Sequence, residues 1–97
     1  MYKDNEIVKR YREILSKVII RKSECDEFVW FLENQTTWLT APASTKYHLS
    51  IEGGLLIHSV SVAETMLELK NALIPEISDE SCAIVGLFHD VGKIGMP

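Results

Sequence analysis

The chain has 97 residues and a mass of 11.0 kDa; 46% of it is hydrophobic, 25% is charged, and the net charge is −4. At this size folding removes only ~60–70% of the unfolded surface from water, so one domain with one modest core is the limit. The apolar content excludes disorder, and the longest apolar stretches, Gly53 to Ile57 and Ala83 to Phe88, fall far short of the ~20 residues a membrane span needs.

The first helix is expected over residues 5 to 21. Ile7, Tyr11, Ile14, Leu15, Val18 and Ile19 form one stripe at helical spacing, with Lys, Arg and Glu elsewhere. Asp4 or Asn5 can cap its start, and Arg21 and Lys22 suit the negative end of its dipole. Residues 1 to 22 carry seven Lys/Arg against three Asp/Glu, whereas the rest of the chain carries three against eleven. A basic segment of this kind can meet nucleic acid or serve as a solvated helix face. The overall pI near 5.3 argues against binding driven by phosphate neutralisation alone.

A second helix is expected from Ser23, where Ser23 and Asp26 make a relative of the capping box, to Glu33 and Asn34. Cys25, Phe28, Val29 and Leu32 would face inward. Residues 35 to 52 break both periodicities with Thr36, Thr37, Thr40, Pro42, Ser44 and Thr45. A stretch of that length without structure is often functional, and it holds Trp38, Lys46, Tyr47, His48 and Glu52.

Gly53 and Gly54 open a long helix to about Leu73, with Leu55, His58, Val62, Met66 and Leu69 as its buried stripe. Pro75 ends it. Ser78 caps a last helix, with Asp79 and Glu80 in its first turn and a nearly all-apolar body from Cys82 to Phe88. Gly92 would serve as its C-terminal stop. The expected organisation is a single all-α domain over 1–97 with about four helices: an N-terminal helical hairpin (1–34), a loop (35–52) and a helical segment over 53–97.

Two polar features stand where core residues belong. His58 sits on an apolar stripe, where a histidine bonded to a backbone or hydroxyl group is the plain expectation, with Ser59 and Ser61 close enough to help. His89-Asp90 ends the most apolar helix, and a buried carboxylate costs several kcal/mol unless it is paired or bound to a cation. Asp90 could pair with Lys93 while His89 bonds a carbonyl. Alternatively, both could hold a metal. Adjacent helix positions differ by ~100°, so this pair can flank an ion but not enclose it. A ligand from another helix is needed, and His58 is the obvious one. Gly86, one turn earlier, would let the His58 helix approach closely. Imidazole and carboxylate together suit Zn, Mn, Fe, Ni or Mg. Lys93 could bind phosphate as a point charge or complete the helix end.

These residues carry a resemblance. Gly53-Gly54-Leu55-Leu56-Ile57-His58 followed, after 30 intervening residues, by His89-Asp90-Val91-Gly92-Lys93 resembles the HD superfamily of metal-dependent phosphohydrolases. With Ala41-Pro42-Ala43 and Lys46-Tyr47-His48 the segment is similar to the branch of HD-type exoribonucleases and related plasmid and phage proteins. The ending His89 to Pro97 also looks like the motif of cyclic-dinucleotide phosphodiesterases in the superfamily. The resemblance spans about Pro42 to Pro97.

It implies an all-helical HD-type fold and a divalent metal ion held by His58, His89, Asp90 and one later aspartate. It implies catalytic roles for Asp90 and Lys93, and substrate contacts from Lys93 and His48. The expected function is hydrolysis of a phosphoester or phosphodiester in nucleotides or single-stranded nucleic acid, as by a phosphodiesterase or nuclease. The alternative is a catalytically incomplete HD-like binding or assembly module. The family's fourth ligand lies on a helix well downstream, whereas seven residues follow Asp90 here, none acidic. A longer parent protein, a natural short form, or a neighbouring subunit supplying the ligand are the three readings, with Glu52 or Glu64 as candidates within the chain. Without the family's closing helices an apolar surface is expected, and with it a homo-dimer or larger assembly. The charged N-terminus lacks the apolar stretch of a signal peptide. Cys25 and Cys82 lack CxxC spacing and are expected as buried thiols in a reducing cytoplasm.

Overall fold

Apolar residues recurring three and four apart give four α-helices among the described residues, 4–42 and 52–94, of the computed structural model. They are α1 (Asp4–Leu15), α2 (Lys22–Gln35), α3 (Gly54–Leu73) and α4 (Asp79–Phe88), followed by a 3-10 turn at Val91–Lys93. No strand occurs among these residues, so the fold is all-α as expected. No helix is long and apolar enough to cross a membrane among the residues described. The antiparallel pair α3 and α4 forms the centre, and α1 packs across both. Within the expected N-terminal hairpin, α1 and α2 meet chiefly through side chains.

α1 buries Ile7, Tyr11 and Ile14, with Val18 just beyond it. It stops at Leu15, six residues earlier than expected. The Ser16 hydroxyl takes the Glu13 carbonyl, and the last turn tightens to Lys17–Ile14 and Val18–Leu15 bonds. The β-branched run Val18-Ile19-Ile20 is a poor continuation of a helix, and its amides have another acceptor. Glu80, at the start of α4, takes the backbone N–H groups of Ile19 (2.8 Å), Ile20 (2.8 Å) and Arg21 (3.0 Å) together with Arg21 Nε (2.8 Å). Ile19 is therefore 74% exposed rather than inside. The expected caps of α1, Asp4 and Asn5, lie outside the described side chains.

α2 begins one residue before Ser23, and neither Ser23 nor any other side chain caps it. The anion ahead of its positive end is Glu80, from another helix. Cys25, Val29 and Leu32 are buried. Phe28 is at the edge, 39% exposed, with its ring edge-to-face on Phe88 at 5.1 Å. After α2 the Thr36 hydroxyl donates to the Leu32 carbonyl and accepts from Trp38 N–H. That turn drives Trp38 into the core, where it is fully buried. Trp38 Nε1–H donates to the Tyr11 hydroxyl (3.0 Å), which donates to Glu33 (2.9 Å), which accepts both Arg12 guanidinium bonds (2.8 Å each). Burial pushes the Tyr11 phenol above its ordinary pKa. The two ends of the loop are stitched together: Gly53 N–H donates to Thr40 O and Leu55 N–H to Ala41 O, both at 2.9 Å.

Gly53 has φ 81°, the one left-handed residue among those described, and it supplies the sharp entry into α3. The buried arc of α3 is Leu55, Leu56, Ser59, Val60 and Ala63. The expected stripe through His58, Val62, Met66 and Leu69 is rotated toward the rim: the first three are half-buried and Leu69 is exposed. A small residue explains the rotation, because Ala63 lets the α4 backbone come close at Gly86. In α4 the Ser78 hydroxyl accepts from Ser81 N–H, as expected for the cap. Gly92 does not stop α4 in a left-handed turn. The helix ends at Phe88, and Gly92 lies inside the 3-10 turn with open space where a Cβ would be.

The charge asymmetry is explained by these contacts. Arg10 grips Glu64 through two bonds (2.9 and 2.6 Å), Arg12 grips Glu33, Arg21 meets Glu80, and Lys22 meets Asp26. Four of the seven cations of residues 1 to 22 face carboxylates of the later chain. The basic segment is matched to its own fold. Cys25 and Cys82 are both free and buried.

Candidate metal centre

The sequence places His58 on the second turn of α3, and His89 and Asp90 just past the end of α4. The packing of α3 on α4 brings them together. Gly86 makes this possible: a Cβ there would lie 2.5 Å from Ala63 Cα and 2.8 Å from Ala63 Cβ. His58 Nε2 is 3.3 Å and His89 Nε2 is 3.1 Å from the same oxygen, Asp90 Oδ2. One ligand atom from each residue lies within 4.8 Å of the others. The two rings are tilted with centroids 5.3 Å apart. All three side chains remain a quarter to a third exposed, so the centre opens to solvent.

His89 Nδ1 is 2.8 Å from the Gly86 carbonyl oxygen. A carbonyl can only accept, so Nδ1 carries a proton, and Nε2 is the atom that faces Asp90, either as a second N–H donor or as a lone pair open to a cation. At 3.1 Å the contact is met either by a proton on Nε2 donated to the carboxylate or by a cation shared between the two atoms. Two ligand atoms each ~2.1 Å from one ion lie at most ~4.2 Å apart, and both separations to Asp90 fall within that range. A carbonyl on the far ring nitrogen is also the usual way a metal-binding imidazole is oriented. The donor chemistry therefore suits a divalent cation, with the two histidine ligand atoms within 4.8 Å of each other.

Lys93 Nζ stands 3.4 Å from Asp90 Oδ2 and is half exposed. Asp90 thus meets Lys93, and His89 meets a carbonyl, while both rings also converge on Asp90. Ser59 and Ser61 do not assist His58: the Ser59 hydroxyl is buried with no hydrogen-bond partner, and Ser61 is exposed. Glu64 is removed as a fourth ligand, because both its oxygens are taken by Arg10. Glu52 is exposed and does not join the His–His–Asp group. His48 lies outside the described residues. Glu80 and the Trp38–Tyr11–Glu33 chain are the polar groups that sequence reasoning missed. Pairing across 22 to 61 residues leaves no local pattern to find.

No protein-family model matches this chain, and comparison with curated proteins and with solved structures gives no match either.

Proposed function

We propose that the chain is an HD-type metal-dependent phosphohydrolase, or part of one, acting on a phosphoester or phosphodiester of a nucleotide or single-stranded nucleic acid. The observation that carries this reading is the convergence of His58 Nε2 and His89 Nε2 on one Asp90 oxygen, with His89 Nδ1 committed to Gly86. The motif resemblance supplies the reaction class. His58, His89 and Asp90 would hold the ion, with Mn, Fe, Mg, Ni and Zn all chemically suited. A divalent ion bound there lowers the pKa of water and polarises a phosphoryl oxygen. Asp90 Oδ1 is left to orient the attacking water. Lys93, half exposed beside it, steadies phosphate charge. The open face admits an extended substrate. The described residues supply three ligands, so the fourth aspartate of the family pattern would come from a further segment or a neighbouring subunit.

One observation favours a second reading, the catalytically incomplete binding or assembly module. Lys93 already offsets part of the Asp90 charge at 3.4 Å, and a proton on His89 would complete the balance without metal. The deciding experiment is calorimetric titration of the metal-stripped chain with each of the five ions, followed by an assay of a generic phosphodiester with Mn. The first reading expects stoichiometric binding by at least one ion. It expects weak turnover alone and stronger turnover when a helical segment bearing an aspartate is supplied. Absence of binding by all five ions overturns it and leaves the module.

A further inference from the structure

Three nitrogens face one oxygen. His89 Nε2 at 3.1 Å, His58 Nε2 at 3.3 Å and Lys93 Nζ at 3.4 Å all approach Asp90 Oδ2. The three are not equivalent. An imidazole nitrogen can offer a lone pair to a cation, so both rings can stay when an ion arrives. An ammonium has three donors and no lone pair, so Lys93 can neutralise Asp90 but cannot ligate a metal. Lys93 and a divalent ion therefore compete for the same oxygen, and their like charges repel. The lysine holds that oxygen loosely. Its 3.4 Å is the longest of the Lys and Arg ion pairs among the described residues, the others running from 2.6 to 3.0 Å. The side chain is half exposed, so its release into solvent costs little. The backbone beneath it is fixed, because Lys93 N–H donates to the Asp90 carbonyl (3.0 Å) in the 3-10 turn. A released ammonium thus stays within one side-chain length of the open face of the centre.

We propose that Lys93 is a built-in counter-charge which a divalent ion displaces from Asp90, and that only the displaced ammonium is free to bind a phosphate. The inference rests on the reading of His58, His89 and Asp90 as a metal centre, and it adds an order of binding to that reading. In the metal-free chain Lys93 is occupied by Asp90, and a phosphate approaching it would meet the carboxylate as well. In the loaded chain Asp90 is occupied, and Lys93 presents a point charge to the anion. Ion binding comes first, and phosphate recognition by Lys93 depends on it. The centre therefore does not hold phosphate through this lysine before it is loaded.

The test is titration of the metal-stripped full chain with zinc, which is diamagnetic and suits imidazole with carboxylate. It is followed by calorimetry and by the NMR signal of Lys93 Nζ, identified by its loss from Lys93→Met. The Lys93 signal should start apart from that of the exposed Lys9 and move toward it as zinc binds. Phenylphosphonate, a phosphate mimic that cannot be hydrolysed, should then shift the Lys93 signal in the zinc-loaded chain and leave it in place in the metal-free chain. Lys93→Met should bind zinc at least twofold more tightly than the wild type, whereas Lys93→Arg, which keeps the counter-charge, should match the wild type. Zinc binding that leaves the Lys93 signal unmoved overturns the proposal and spares the metal centre. So does an equal phosphonate shift with and without zinc, or a Lys93→Met affinity no tighter than the wild type. Absence of zinc binding by both the wild type and Lys93→Met overturns the metal centre itself, and the exchange with it.

Discussion

Gly86 and Ala63 are in such close contact that a Cβ on the glycine would fall 2.5 Å from the alanine Cα. The contact is backbone against backbone, and it fixes the spacing of α3 and α4 that sets His58 against Asp90. Gly86→Ala should force the helices apart, with an overpacking penalty of about 1–3 kcal/mol. Metal affinity should fall along with stability. Ala63→Gly should not rescue the variant, since the clash is with the Cα. Urea melts and metal titrations of the single and double variants check this, and a Gly86→Ala protein of normal stability would show that the helices adjust freely.

Loss of any of His58, His89 or Asp90 to Ala should lower metal content and remove the ion-dependent part of the thermal stability. At a hundredfold excess of ion over Kd that part is about 2.7 kcal/mol. Melting temperatures with and without chelator give the reading directly. Identical values would mean the three residues form a metal-free ion cluster.

Lys93→Ala should leave metal content intact and weaken binding of inorganic phosphate or a nucleotide. The side chain is half exposed, so its pairing with Asp90 contributes at most ~1 kcal/mol to folding. Phosphate titration beside a thermal melt separates the two roles. A variant that loses metal or unfolds would identify Lys93 as the structural partner of Asp90.

Glu80 gives the fold an acid-sensitive joint. The Arg21 guanidinium, with the amides of Ile19, Ile20 and Arg21, holds its carboxyl down at about 2. A pKa lowered by folding stabilises the native state above the ordinary carboxylate range, and that stability is lost as pH falls from about 4.5 toward 2. Glu80→Gln should therefore be less stable than the wild type at neutral pH, and the two should converge near pH 2. Denaturant midpoints across that range measure the difference. A constant gap down to pH 2 would rule out the charge as its source.

Much of the helical order is legible in the sequence, because periodicity and local caps act over a few residues. The four helices, the Ser78 cap and the close approach at Gly86 all follow from neighbours one or two turns away. The errors have a common cause. α1 ends early because Glu80, some 60 residues distant, takes the amides of Ile19, Ile20 and Arg21 that a longer helix would have used. The face of α3 is rotated because the smallest residues, not the largest, decide how near another backbone can come. At the centre, the meeting of two histidines and an aspartate could be inferred from the two motifs and the glycine between them. The Arg10–Glu64 pair, which withdraws one candidate ligand, depends on how α1 docks and has no sequence signal.

The placement of those ion pairs bears on the order of events as the chain is made. α1 and the turn after it are made before α3 and α4, yet the carboxylates that receive them, Glu64 and Glu80, follow 54 and 59 residues after Arg10 and Arg21. Contacts so distant in sequence form only after their loop closes. Arg12 can meet Glu33 once α2 is made, whereas Arg10 and Arg21 must wait for α3 and the start of α4. Synthesis halted before Glu80 would leave the turn between α1 and α2 without the carboxylate that gathers its amides.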